Sequence, residues 1–459
     1  MSTLLAQASD EAARYRAYGP RHIDDIAARY GLPDDVAETV RLSSMVLPFR
    51  VNQYVLEELV DWQRLPDDPI FQLVFPQRGM LNTEDIKRLG VLAGQTDPAA
   101  KRELRRTVAE IRAGLNPHPS GQMSLNVPRL EGVELPGMQH KYRETVLYFP
   151  GQGQTCHAYC TYCFRWAQFV GDADLKFSAP DPKGLLSYLA DHPEVEDVLV
   201  TGGDPMIMTT DRLRNHLEPL LGVPTLNTIR IGTKSVAYWP QRFVTDHDAD
   251  DVLRLFENVV AAGKNIAVMA HFSHPRELET DIARRAISRI RSTGALVYCQ
   301  APLIAHVNDD AAVWSSMWRT QLSLGAVPYY MFVERDTGPH DYFKVPLAKA
   351  VTIFQEAYRR LPGLARTVRG PVMSATPGKV AVDGVEDTPQ GRLFQLRMLQ
   401  ARDPRLVGRP FRAVYSDSAA WVDELELAPS TPPDIGEAFL GRPGDPGAGT
   451  TDADGRSDV

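Results

Sequence analysis

"TVLYFPGQGQTCHAYCTYCFRW", residues 145–166, runs an apolar strand-like segment into a glycine- and glutamine-rich loop and then into three of the chain's four cysteines, Cys156, Cys160 and Cys163. The opening run, "TVLYF" (145–149), is the first of six short β-branched or aromatic segments. The others are "EDVLV" (196–200), "TIRIG" (228–232), "NIAVMAHF" (265–272), "ALVYCQAPL" (295–303) and "VPYYMFVE" (327–334). An amphipathic helical stretch follows each of them, at 182–190, 211–221, 249–262, 278–293, 310–324 and 346–361. Six strand–helix units at this spacing predict a parallel sheet, because parallel neighbours need crossover connections. Spacing alone leaves a partly closed barrel and an open sheet both standing. In either, loops at the carboxyl ends of the strands carry the chemistry, and the cysteines lie in the first such loop.

Outward from this core the patterning changes. The first 130 residues read as mostly helical, with "DEAARYRAYG" (10–19), "HIDDIAARYG" (22–31) and "DPAAKRELRRTVAEIRAGLN" (97–116) carrying helical periodicity and charged faces. The apolar segment "FQLVFPQRGML" (71–81) is expected to dock on the next domain. Residues 362–440 form a less regular C-terminal region. From 441 to 459 Gly, Pro and Asp dominate, and a disordered tail is expected. The division is therefore 1–138 helical, 139–361 core, 362–440 C-terminal region and 441–459 tail.

The 459-residue chain can bury a large core. Its net charge of −8 argues against a surface devoted to nucleic acid. No apolar run is long enough to cross a bilayer, and the N-terminus lacks a secretion signal. Four cysteines are too few for a disulfide scaffold, so a cytoplasmic protein with reduced thiols is expected.

Three cysteines spaced C-x3-C-x2-C admit three readings. They are a chance group of buried thiols, a zinc loop short of a ligand, or three thiolates on three irons of a [4Fe–4S] cube with one iron open. His157 is an awkward fourth corner because it adjoins Cys156, and Cys299 reads as a small core hydrophobe. A second feature lies one strand on. "VLVTGGDPMIM" (198–208) ends a strand at Gly202, Gly203 and Asp204, where glycines admit close approach of a ligand and Asp204 can accept from an ammonium or hydroxyl. Taken alone, that triplet is equally an ordinary turn.

"CHAYCTYC" resembles the signature of the radical S-adenosylmethionine (SAM) enzymes. The resemblance narrows to the lysine 2,3-aminomutase family over roughly residues 68–380. Its landmarks are "HKY" (140–142), "TGGDPMIMTTDRL" (201–213), "IRIGTKSVAYWPQRF" (229–243), "AHFSHPREL" (270–278), "APLIAHVND" (301–309) and "VPYYMFVERD" (327–336). It implies an α/β fold, a six-unit (β/α)6 partial barrel of the radical SAM type with an N-terminal helical domain and a C-terminal extension. It also implies a [4Fe–4S] cluster on Cys156, Cys160 and Cys163, whose open iron binds SAM and cleaves it to a 5′-deoxyadenosyl radical. SAM would lie against Tyr162, Gly202, Gly203, Asp204, Thr233, His271 and Gln300. Arg165 matches the arginine that pairs with the substrate carboxylate, for which a guanidinium suits a bidentate contact.

Family members also use pyridoxal phosphate (PLP). The lysine that carries it corresponds to Lys379, and Lys141 and Tyr142 match phosphate-binding groups. The sequence departs from the pattern at Thr145, which replaces a second arginine, and at Phe332, which replaces a tyrosine. Where lysine-specific members place two aspartates for the distal ammonium, this chain has Arg335 and Ser374. Two cations about 4 Å apart repel by ~4 kcal/mol at an effective dielectric near 20, roughly a thousandfold in binding. An acidic or neutral polar amino acid is therefore the expected substrate, unless Glu334 or Asp336 takes over. The expected activity is migration of an amino group from Cα to Cβ, by an isomerase. The alternatives are PLP-independent radical SAM chemistry on the same fold, such as epimerisation or cleavage, and a non-catalytic metal-binding scaffold. Partners implied are an amino-acid-like small molecule and an electron donor such as flavodoxin or ferredoxin, with a homo-oligomer left open.

Overall fold

Strands and helices fall where the two periodicities place them. The structure is a computed structural model that describes residues 14–119, 126–172, 175–389 and 391–440. Six parallel strands, β6 (Thr145–Tyr148), β7 (Asp197–Val200), β8 (Thr228–Thr233), β9 (Asn265–His271), β10 (Leu296–Leu303) and β11 (Val327–Val333), stand side by side in chain order. The connecting helices are α6 (Lys183–Asp191), α7 (Thr210–Leu221), α8 (Ser235–Tyr238) with α9 (Ala249–Ala261), α10 (Asp281–Ser292), α11 (Ala311–Ser323) and α13 (Leu347–Arg359). Val146, Val198, Ile231, Val268 and Val297 are buried, as expected of parallel strands covered on both faces. Local chemistry starts several helices. Thr280 caps α10 by accepting from the Ala283 N–H, and Asp310 caps α11 by accepting from Ala312 and Val313.

The sheet is larger than the six predicted units. A seventh parallel strand, β12 (Arg369–Ser374), pairs with β11. It is followed by the antiparallel strands β13 (Gly378–Thr388), β14 (Gly391–Ala401) and β15 (Pro410–Val414). On the other side β5 (Met138–Tyr142) pairs antiparallel with β6, giving eleven strands. The expectation of an irregular region after residue 361 is thus corrected, since the sheet crosses that boundary unbroken. The hairpin builds a second apolar core from Val380, Val382, Phe394, Leu396, Met398 and Trp421. Its alternation is legible in "GKVAVDGVED", but polar positions facing solvent dilute it. The sheet curls strongly, because Lys141 on β5 bonds the Ala375 carbonyl just beyond β12.

The N-terminal region is helical, with α1 (Ile23–Tyr30), α2 (Asp34–Ser43), α3 (Pro69–Val74), α4 (Thr83–Ala93) and α5 (Pro98–Gly114). Asp97 accepts from the Ala99 and Ala100 N–H groups, and Pro98 opens α5. Two short pairs complete the strands, β1 (Ala17–Tyr18) with β2 (Val51–Asn52) and β3 (Arg129–Leu130) with β4 (Val133–Glu134). The helix expected at 10–19 is corrected over residues 14–19, which are extended. The Tyr15 hydroxyl donates to the His157 carbonyl at 2.9 Å and its ring meets Trp239 edge-on, so tertiary contacts override a weak helical propensity. The tail expected at 441–459 lies outside the described residues. Among the described residues no helix is long and apolar enough to cross a membrane.

Candidate active site

The cysteine loop leaves the carboxyl end of β6 and is held from below by the helical domain. The Tyr159 N–H donates to the Arg50 carbonyl, and the Thr161 N–H and hydroxyl donate to the carbonyls of Leu73 and Gln72. Arg50 also reaches the Thr155 hydroxyl at 2.6 Å. The segment 71–81 thus docks on the core as expected, and it docks at the functional loop. His157 is settled as a packing residue. Its Nδ1 lies 2.8 Å from the Ser235 hydroxyl, its ring stacks on Trp239, and burial pushes it down to about 3.

Cys156, Cys160 and Cys163 are half-buried and line one cavity of about 370 Å³. The Cys163 thiol is pushed up to about 12, by burial first and by neighbouring Cys160 second, so three thiolates here need cationic compensation. Among the described residues no three His, Cys, Asp or Glu side chains converge as a single ion demands, with ligands at about 2.0–2.3 Å from zinc. A cube gives each thiolate its own iron and so fits a wider spread. Cys299 is buried in β10, away from this loop, as expected.

The turn after β7 packs on the same loop. A Cβ on Gly203 would stand 2.4 Å from the Thr155 carbonyl oxygen, and Gly202 has φ +147° with Gln154 against it, so neither admits a side chain. Asp204 departs from its expected role. Its carboxylate is buried and accepts from the Thr233 and Ser235 hydroxyls and from the Met206 and Lys234 N–H groups at 2.7–3.0 Å. With its oxygens already engaged, it ties the ends of β7 and β8 together and presents no free acceptor. Thr233 is likewise spent on Asp204, and both line the cavity together with Gln300 and His271. Burial pushes His271 down to about 3, which keeps it neutral, and it stands 3.4 Å from the Tyr162 hydroxyl. Tyr162 also bonds Ser273. His274 instead caps a short turn at Pro275–Leu278.

The remaining predicted residues enter the same cavity from the cysteine loop, from β5, β12 and β13, and from just beyond β11. Arg165 is buried over the Phe149 ring at 4.0 Å, with its Nε unpartnered and no carboxylate paired with it among the described residues. Burial pushes it down to about 10. Lys379 faces Tyr330 at 4.8 Å and Tyr142 at 5.4 Å, beside Phe332. Burial, helped by Arg230 and Arg369 against Asp197, pushes its amine down to about 7. Trace acetylation followed by mass spectrometry should therefore show Lys379 reactivity rising about tenfold per pH unit to about pH 7 and then levelling. Ordinary lysines keep climbing toward about 10.4. Lys141 is likewise held well below the ordinary lysine range by burial and by Arg335, and Tyr142 is pushed up to about 12 by burial. Arg335 lies between the Phe164 and Trp421 rings, and Ser374 pairs in register with Lys379.

Sequence reading missed Lys234 and Tyr238 at the cavity, which Glu334 also lines. Lys234 pairs with buried Glu277 at 2.7 Å. Glu334 is buried, 2.7 Å from His340, and pushed up to about 7 by burial. Lys234 and Tyr238 stand inside a quoted landmark and could have been found there. The Glu277 and His340 partnerships are long-range or loop-dependent and leave no local signal.

No protein-family model matches the chain. A putative L-lysine 2,3-aminomutase of Aquifex aeolicus is 29% identical over 88% of this chain and 94% of its own length. L-lysine 2,3-aminomutase of Bacillus subtilis is 25% identical over 73% of this chain and 60% of its own length. Glutamate 2,3-aminomutase of Clostridioides difficile is 27% identical over 46% and 47%. Among solved structures, Streptococcus suis SuiB bound to S-adenosylmethionine matches 59% of this chain and 55% of that one at 11% identity, with a TM-score of 0.33. The strands and helices define an α/β protein in which the cysteine loop and the glycine turn line one cavity. Over 88% of its length the chain is similar to a putative lysine 2,3-aminomutase, and the two further relatives are named lysine and glutamate 2,3-aminomutases.

Proposed function

We propose that this chain is a radical SAM amino-acid 2,3-aminomutase whose substrate ends in an anionic or neutral polar group and is not lysine. The observation that carries the reading is convergence. Three cysteine thiols, a buried arginine with no carboxylate paired to it among the described residues, and a buried low-pKa lysine amine share one cavity. When bound, the cluster and SAM supply a hydrogen-abstracting radical, and PLP supplies the carrier for the migrating amino group.

The chain's own residues would do the rest. Arg165 takes the substrate α-carboxylate, which completes its guanidinium and fixes the reacting carbons relative to the cysteine loop. Lys379, about half neutral near pH 7, is the amine suited to hold PLP, with Lys141 and Tyr142 on the phosphate side. Arg335 repels a distal ammonium and accepts a distal carboxylate or amide oxygen. The relative named a glutamate 2,3-aminomutase is consistent with that choice. Gly202, Gly203, Tyr162, His271 and Gln300 would shape the SAM pocket, with Asp204 and Thr233 holding its wall.

The curl of the sheet supports reading 139–361 as a six-unit (β/α)6 partial barrel, with 1–138 as its helical base and 362–440 as an extension of its sheet. An external one-electron carrier of flavodoxin or ferredoxin type would reduce the cluster.

Anaerobically reconstituted protein should hold about four irons per chain. Incubated with SAM, dithionite and an amino-acid pool, it should release 5′-deoxyadenosine while one non-lysine amino acid is converted to its β-isomer, both read by mass spectrometry. Iron-free protein, or turnover of lysine alone, overturns the reading. A second reading, PLP-independent chemistry in the same cavity, is favoured by Thr145 and Phe332, which lack the phosphate-binding groups expected there. Borohydride reduction in the presence of PLP decides between them. A pyridoxyl label on Lys379, lost in Lys379→Ala, supports PLP use.

A further inference from the structure

We propose that Tyr238 is a positioning residue for the iron–sulfur cluster, its phenol donating a hydrogen bond to the Cys160 sulfur and raising the cluster's reduction potential. The inference rests on the reading that Cys160 binds iron.

Tyr238 ends α8 and is buried at 1% exposure. Its hydroxyl stands 3.9 Å from the Cys160 sulfur, with the thiol as donor in the metal-free chain. Among the described residues that contact is the hydroxyl's only hydrogen bond. A cysteine that binds iron does so as a thiolate, which accepts and cannot donate. The direction of the bond must then reverse. The phenolic O–H, sealed from solvent, turns to the sulfur, because an unpaired buried donor is costly.

Two further contacts fit this role. The Lys234 ammonium lies over the Tyr238 ring at 4.5 Å, drawing electron density from the phenol and strengthening it as a donor. Lys234 is fixed there by Glu277 at 2.7 Å and by the His271 carbonyl and Ser273 hydroxyl at 3.3 Å. The backbone is fixed as well, since Asn52 donates to the Tyr238 carbonyl at 2.8 Å and to the His157 carbonyl at 3.2 Å. Donor and sulfur are thus held to one another through the helical domain. Hydrogen bonds to cluster sulfurs are among the determinants of potential, and they favour the reduced, more negative state.

The test is Tyr238→Phe, which keeps the ring and removes only the donor. Wild type and variant are reconstituted anaerobically, counted for iron and titrated by EPR-monitored redox potentiometry without SAM. Equal iron and a lower midpoint are expected. At fixed ambient potential the reduced-to-oxidised ratio should fall about tenfold, which is about 59 mV for a one-electron couple. Lys234→Met, which leaves the phenol in place, should move the midpoint in the same direction by less. If Tyr238→Phe carries full iron at an unchanged midpoint, the inference is wrong while the cluster reading stands. If wild type carries no iron, the functional reading itself fails. If Tyr238→Phe alone loses iron, Tyr238 is structural for the loop and the inference is overturned.

Discussion

Cys160→Ala is expected to hold less than a tenth of the wild-type iron and to release no measurable 5′-deoxyadenosine. Each of the three loop cysteines would bind a separate iron, so none can substitute for another. The nearby alternatives are already excluded by their contacts. His157 is held by Ser235 and Trp239, and Cys299 lies buried in β10. The fold should survive, because the Cys160 side chain is half-buried and its hydrogen-bond partners, the Tyr238 and Tyr162 hydroxyls, stay packed in place without it. Colorimetric iron, the visible absorbance of the cluster and a thermal melt, compared with Cys299→Ala, check all three points. Full iron in Cys160→Ala would refute the assignment of the loop.

Arg165→Leu is expected to lower kcat/KM for the amino-acid substrate by roughly 30- to 4,000-fold, the range for losing one partner of a buried, hydrogen-bonded charge pair at ~2–5 kcal/mol. Iron content and slow, substrate-free SAM cleavage should be unchanged. The reason is geometric. Arg165 lies two residues beyond Cys163 and spreads over Phe149, donating to the Gln154 side-chain oxygen at 3.3 Å. Leucine keeps the packing against Phe149 and removes the charge. Arg165→Lys should recover only part of the loss, since an ammonium cannot bridge two carboxylate oxygens. The loss should fall mainly in KM if Arg165 only holds substrate, and in kcat as well if it also orients it. Steady-state assays with the substrate found in the amino-acid screen separate these outcomes.

Local features of the chain carry much of this. Six apolar runs separated by amphipathic helices place β6 to β11 to within a residue or two of the observed bounds. The cysteine spacing and the "TGGDP" turn name the loops that meet. Lys379 was legible only through resemblance. Its amine is pushed down by burial and by Arg230 and Arg369, from β8 and β12, and nothing in "PGKVAV" reveals that neighbourhood. Asp204 shows the opposite failure. A carboxylate beside two glycines reads as a ligand, but Thr233 and Ser235 from the next strand consume it. Beyond residue 361, the alternation of β13 and β14 was masked by polar residues on their exposed face.

By itself the sequence determined the parallel α/β core, the cysteine loop at the end of its first strand and the arginine beside that loop, because these depend on contacts between near neighbours and on strand and helix periods. Only the tertiary structure decided that the sheet curls until Lys141 meets Ala375, that Lys379 and Arg165 face one cavity, and that Tyr238 stands over Cys160. Those are pairings across 78 to 234 residues, set by how the sheet closes on itself and by burial, and no local pattern encodes them.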